Sequence, residues 1–278
     1  MDEKQQRVRV TVTGGVADVR LDRPDKLNAL DRAMLAALLT AGRQVGRDAA
    51  VRAVVLSGNG RAFCAGLDFA EFQAMITDGA AQIPAPEDDD GYTGPARALA
   101  QRAAYVWAEL PVPVIAAVHG VAFGGGLQIT LGADIRLAAP DARLSVMEIK
   151  WGLIPDMTGS QLLPELVGRD VAKELTFTGR EVGGQEAADL GLVTRAADDP
   201  LAEALDLAAE IAAKSPQAVR AAKALLDQAG RVSLHDGFAA EQRVIRQLVG
   251  SPDQIEAVRA NLEGRAPAFT GKRSADGG

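Results

Sequence analysis

The sequence predicts an α/β layered domain over residues 1–199, followed by a helical C-terminal region over residues 200–278. Three observations carry that reading. The chain opens in the order strand, strand, helix, strand, which starts a layered α/β body. Two buried apolar runs then each end in a turn of glycine and other small residues. From Pro200 onward the pattern changes to helices with serine–proline starts.

The elements follow in order. Val8–Thr13 and Val16–Leu21 are rich in β-branched residues and flank Gly14-Gly15, the pattern of a hairpin. Asp31 can cap a helix in which Met34, Leu35, Leu38 and Leu39 share one apolar face. Residues 51–56 form a short apolar run closed by Ser57-Gly58-Asn59-Gly60, a buried strand entering a tight turn. Residues 76–95 break the pattern. Pro84, Pro86, four consecutive acids at 87–90, Gly91 and Gly94 read as a mobile loop whose acids face solvent. A helix is expected near residues 96–109, a buried strand at Val114–Val118 and another short strand at 134–138. Ser215-Pro216 and Ser251-Pro252 each read as an N-cap with proline at the first helical position. Ser251 with Gln254 also fits a capping box. The last few residues read as frayed.

Composition narrows the function classes. The 278 residues are 47% hydrophobic and 24% charged, enough apolar material for a sizeable core. A formal net charge of −7 argues against a nucleic-acid partner, because such binding rests on cationic contacts to phosphate. The single cysteine, Cys64, rules out an intrachain disulfide and suits a cytoplasmic, reducing compartment. With only His119 and His235, a histidine-rich metal site is not available. No signal-peptide core or membrane-length apolar run is visible.

The chemistry-bearing signal lies in the two glycine turns. One is Ala62-Phe63-Cys64-Ala65-Gly66-Leu67-Asp68, the other His119-Gly120-Val121-Ala122-Phe123-Gly124-Gly125-Gly126. Glycine lets backbone approach a ligand closely, and the first turn of a following helix leaves N–H groups unpaired. Two such turns can aim two backbone donors at one oxygen, which is what an oxyanion hole requires. The triple glycine alone is equally compatible with a tight turn against a core or a phosphate cradle. It lacks the Gly-x-x-x-x-Gly-Lys-Ser/Thr pattern. Cys64 reads as a small buried filler rather than a nucleophile.

Set in order, the motifs acquire a specific resemblance. Arg23-Pro24-Asp25-Lys26-Leu27-Asn28-Ala29-Leu30, the two glycine turns, residues 140–153, Thr178-Gly179-Arg180 and Gly191-Leu192-Val193 resemble successive blocks of the crotonase (enoyl-CoA hydratase/isomerase) family. The similarity runs from about residue 8 to Lys272. The resemblance implies a crotonase-like spiral of ββα units with a C-terminal helical trimerisation region. It also implies a homotrimer or a hexamer made as a dimer of trimers, an acyl-CoA substrate, and no cofactor or metal beyond the coenzyme A of the substrate.

Residue by residue, the resemblance makes the backbone N–H groups of Leu67 and Gly125 the oxyanion donors, each typically worth about 3 kcal/mol. Lys26, Leu27, Ala29, Ala65, Gly66, Asp68 and Gly124 fall in CoA- or substrate-binding segments, with Lys26 near the phosphates. Residues near Phe269 and Lys272 are implied to reach a neighbouring subunit's CoA site. Glu148 matches one of two glutamates that hydratases of the family use. The second position is Gln128, whose amide can orient water but cannot exchange a proton. Losing one acid–base partner commonly costs about 10²–10⁴ in rate. Asp156 matches a place where other members carry a working acid; the bland alternative is a helix N-cap before Met157-Thr158-Gly159.

The leading expectation is double-bond chemistry on an enoyl-CoA thioester with Glu148 as acid/base. Thioester hydrolysis of the 3-hydroxyisobutyryl-CoA hydrolase type, dehalogenation of an aryl thioester at Asp156, and acyl-CoA binding without turnover remain open. Ala70, Phe72, Met75 and the loop 76–95 are expected pocket walls; Trp107 and Trp151 can line the pocket or fill the core, and the core is the expectation for each.

Overall fold

Residues 6–79 and 92–270 are described by the computed structural model. The acidic run at 87–90, Lys272 and the chain ends therefore lie outside the described residues. Among the described residues, eleven α-helices and nine strands follow one another as a mixed α/β body.

The hairpin forms as expected. β1 (Val8–Thr13) and β2 (Val16–Leu21) pair antiparallel about Gly14-Gly15. α1 (Arg32–Arg47) begins where Asp31 accepts the Met34 N–H, and Met34, Leu38 and Leu39 are buried beneath it. β3 (Ala53–Gly58) starts and ends two residues later than the apolar run suggests. Ser57 and Gly58 stay in the ladder because Arg20 and Leu21 of β2 pair with them. β4 (Val114–Val118), β6 (Ile135–Ala138) and β9 (Arg195–Ala196) extend the sheet in parallel, giving the order β1-β2-β3-β4-β6-β9. A smaller sheet holds β5 (Val121–Phe123), β7 (Arg143–Ser145) and β8 (Val182–Gly183) in the order β5-β7-β8.

Every residue of β3 and β4 is buried, because both faces of the large sheet are covered. Strand alternation divides them. Val54, Leu56, Val114, Ala116 and Val118 face the main core with α1, α3 (Leu99–Tyr105) and Trp107. Ala53, Val55, Ile115, Ala117 and Leu137 face a second core beneath α8 (Pro200–Ala212). Ala204, Ala208 and Ala212 recur every four residues on α8, and their small side chains let the helix lie close to the strands.

α9 (Pro216–Gln228), α10 (Leu234–Leu248) and α11 (Pro252–Glu263) complete the C-terminal third. Ser215, Ser233 and Ser251 cap them through their hydroxyls. The expected capping box at Ser251 is offset by one residue: Gln254 reaches back to the Gly250 N–H. Lys223 of α9 is buried against Asp134, whose other oxygen accepts the Val114 N–H, so α9 is anchored at the start of β4. The loop expected from residue 76 begins later, since residues 76–78 continue α2 (Phe69–Asp78). The helix expected over 96–109 is shorter, Leu99–Tyr105.

Candidate active site

The site lies beyond the carboxyl ends of β3 and β4, where both strands feed the small-residue turns. The two turns run side by side. Cys64 donates its N–H to the Val121 carbonyl, and Phe123 donates to Cys64. On the other flank, Leu30 donates to Gly66, and Asp68 donates back to Leu30. That parallel bridge uses the groups on either side of Leu67 and turns the Leu67 N–H to the opposite side. Among the described residues it has no acceptor.

Gly66 has φ +86, and a Cβ there would stand 2.7 Å from the Phe123 carbonyl oxygen, so the approach of the two turns excludes a side chain. In the second turn Gly124 donates to the Ser145 carbonyl and accepts from Gln128. Gly125 opens α4 (Gly125–Leu131), and its N–H likewise has no acceptor among the described residues. Two unpaired backbone donors therefore flank the line where the turns meet.

The first motif is knitted beneath them. Asn28 is fully buried in a left-handed conformation, φ 56. Its Nδ2 donates to the carbonyls of Asn59, Ala62 and Phe63, and its Oδ1 accepts the Arg23 N–H. Asparagine tolerates this backbone region better than most residues. Asp68 caps α2 through the Ala70 N–H and pairs with Arg23 at 2.5 Å. The Ala70 N–H first, and then Arg23 and Lys26, hold its carboxyl below the usual range against the effect of burial. Lys26 is exposed on the short 3₁₀ turn Pro24–Lys26. The Leu27 carbonyl accepts the Ala65 N–H, and Ala29 is buried between the motifs. Cys64 is buried and its thiol is pushed up to about 12 by burial, which removes it as a nucleophile.

Facing the turns is a carboxylate wall. Glu148 opens the 3₁₀ turn Glu148–Trp151 and is buried. A Cβ placed on Gly124 would lie 3.3 Å from Glu148 Oε1, so the carboxyl abuts the second turn. Its Oε1 accepts from Gln128 Nε2 at 2.5 Å, while its Oε2 is buried without a protein partner. Burial pushes the Glu148 pKa above the ordinary glutamate value. The adjacent charge of Asp156 adds to that, while its own N–H and the Gln128 amide oppose it.

The Gln128 amide is engaged by protein on both sides. Its Oε1 accepts from both Met157 N–H and Gly159 N–H, each at 2.8 Å, and its Nε2 serves Glu148. It is buried and ties the glutamate to the 157–159 segment. Asp156 is not a helix cap: α5 (Gly159–Val167) starts after Thr158, which stands at φ 80 with no side-chain cap bond. The Asp156 residue is open to solvent, yet protein around its carboxyl holds the pKa above the usual aspartate value.

Phe269 stays away from this wall within its own protomer. Its carbonyl accepts from Arg52, beside Ala212 and ahead of β3, at the end of the sheet opposite the glycine turns. Trp107 is in the core as expected, but Trp151 is 43% exposed, against the expectation of burial. Phe69, which sequence reasoning passed over, packs with Phe72 and Trp151 beside the site. Its position directly after Asp68 was the only available signal.

Comparison with known proteins identifies the family. The sequence model of the enoyl-CoA hydratase/isomerase family matches residues 11–272. The chain belongs to the enoyl-CoA hydratase/isomerase (crotonase) family. It is 36% identical to mouse mitochondrial enoyl-CoA hydratase domain-containing protein 2, covering 93% of this chain and 85% of that one. It is 33% identical to mouse mitochondrial methylglutaconyl-CoA hydratase, covering 98% and 84%. The crystal structure of the enoyl-CoA hydratase from Bacillus anthracis superposes with a TM-score of 0.84 at 32% identity, over 96% of this crotonase-family chain and all of the other. Among the described residues no His/Cys/Asp/Glu cluster suited to a metal ion is found, and no helix is long and apolar enough to cross a membrane.

Proposed function

We propose that the protein moves the double bond of an enoyl-CoA thioester by proton transfer through Glu148, with the thioester oxygen held by the N–H groups of Leu67 and Gly125. The observation that carries this reading is the asymmetry of the Glu148 carboxyl. One oxygen is fixed by Gln128, and the other is buried without a partner. A buried acceptor left open in a folded protein is costly unless a ligand meets it.

In a 3-enoyl thioester, Glu148 Oε2 removes a proton from the carbon next to the carbonyl. The charge spreads into the thioester oxygen, where two fixed donors stabilise it. The same oxygen returns the proton two carbons further along, giving the 2-enoyl isomer. A single base suffices, which fits a site where Gln128 can neither donate nor accept a proton. The raised pKa brings Glu148 closer to the operating range, as suits a group that takes and returns a proton.

In this reading Lys26 serves the phosphates of CoA, and Ala65, Gly66 and Asp68 help to wall its site. We infer a trimer-based assembly in the cytoplasm, with Phe269 and Lys272 serving a neighbour's CoA. The C-terminal helices support that assembly by exposing Leu226, Leu234, Phe238, Val249 and Leu262.

The negative charge of Asp156, near enough to raise the Glu148 pKa, favours one second reading, water attack on the thioester. The test is a panel of 2-enoyl-, 3-enoyl-, 3,5-dienoyl- and 3-hydroxyacyl-CoA thioesters, with products resolved by mass and absorbance. A same-mass product with a moved double bond is expected. Gain of one water makes the protein a hydratase, and release of free CoA makes it a hydrolase. Binding without any conversion overturns the catalytic reading.

A further inference from the structure

The two flanks of the site are joined by aromatic rings that the proposed proton transfer does not use. On one flank, α2 begins immediately after Leu67 and Asp68, and Phe69 and Phe72 lie three residues apart on one face of it. On the other, Glu148 and Trp151 are the first and last residues of a 3₁₀ turn, where side chains three apart eclipse. Trp151 therefore stands in line with the catalytic carboxylate.

The rings meet across the gap. Phe72 and Trp151 lie 4.6 Å apart with planes tilted by 32°. Phe69 meets Trp151 edge-on at 6.2 Å and 90°. Lys150 Nζ stands 5.7 Å from the Trp151 ring. Phe69 is nonetheless 72% exposed and Trp151 43% exposed, so the cluster keeps open surface beside the segments that carry Leu67 and Glu148.

We infer that the acyl group taken by this site is flat and conjugated, an aryl or arylalkenyl thioester rather than a flexible alkyl one. The inference rests on the enoyl-CoA reading proposed above. Rings prefer offset-stacked and edge-to-face neighbours, and this cluster already combines a close tilted pair with an edge-on partner. A planar acyl group extends that arrangement, whereas an alkyl chain gains only burial. The reach agrees too. Three residues of 3₁₀ helix rise about 6 Å, roughly the span from the carbon beside the carbonyl to a ring attached at the far end of the double bond.

The test pairs thioesters of equal carbon number. Turnover is compared for 4-phenylbut-3-enoyl-CoA and dec-3-enoyl-CoA. Binding is compared by calorimetry for their saturated counterparts, 4-phenylbutanoyl-CoA and decanoyl-CoA, which cannot isomerise. The aryl member is expected to win both comparisons by about tenfold. Trp151→Leu and Phe72→Leu should each cut that ratio roughly two- to tenfold. Trp151 is exposed, so its replacement threatens the fold least, and circular dichroism checks both variants.

Turnover of both thioesters at equal efficiency, with a ratio unmoved in both variants, overturns the inference and leaves the Glu148 reading standing. Aryl-selective binding without turnover keeps the inference and overturns that reading. Failure to bind either saturated thioester and to turn over either enoyl thioester overturns both.

Discussion

The two sides of the site are made in different ways. The donor side is backbone: the N–H groups of Leu67 and Gly125 are left open by the hydrogen bonding around them. The carboxylate side is built from side chains, with Gln128 at its centre holding Glu148 and the 157–159 segment at once. The donor side depends on what cannot be added at Gly66 and Gly124. The carboxylate side depends on one amide that cannot be removed. Disturbing either should therefore fail in a recognisably different manner.

The largest effect is expected on the donor side. Gly66→Ala places a Cβ 2.7 Å from the Phe123 carbonyl oxygen in a left-handed backbone, so the two turns must separate. Turnover should fall about 10²-fold or more, the typical loss for one such donor. The pH dependence of the remaining activity should change far less than turnover, because Glu148 keeps Gln128 and Asp156 even though it abuts the displaced turn at Gly124. A shifted pH profile would show that the two sides are not separable.

Next comes Gln128→Leu. It leaves the Met157 and Gly159 N–H groups and Glu148 Oε1 without their partner. Each orphaned buried group costs about 1–3 kcal/mol, so thermal or urea unfolding should register a loss of several kcal/mol together with reduced turnover. Full stability in this variant would show that water replaces the amide readily.

Two smaller changes move the pH profile in opposite directions. Glu148 acts as a base when ionised, so activity falls as pH drops through its raised pKa. Asp156→Asn removes a neighbouring negative charge that raises that pKa, so the acid limb of kcat/KM should move to lower pH. Gln128→Glu retains an acceptor for both backbone N–H groups while placing a like charge against Glu148. The acid limb should then move to higher pH. Identical limbs in both variants would remove Glu148 from the titration.

The same contrast explains what the sequence disclosed. The donor side was legible, because strand patterns ending in glycine-rich turns state a backbone geometry directly, and the Asp31 cap followed from local chemistry. The carboxylate side was legible only as a set of residue types. Nothing in the spacing of Gln128, Glu148 and Asp156 says that two N–H groups at 157 and 159 take the amide oxygen. Nor does it say that Thr158 adopts φ 80 between them, since those contacts join segments about thirty residues apart. Trp151 was misplaced for a related reason. An aromatic residue in an apolar stretch usually fills a core, and only the 3₁₀ turn that starts at Glu148 puts it at the surface.

The most direct measurement is steady-state turnover of a 3-enoyl-CoA by Glu148→Gln, alongside acyl-CoA binding and thermal unfolding of the same variant. The side chain keeps its size, so binding and stability should hold near wild type while turnover drops by about 10²–10⁴-fold. Turnover unchanged on every thioester that the protein accepts would contradict the role assigned to Glu148.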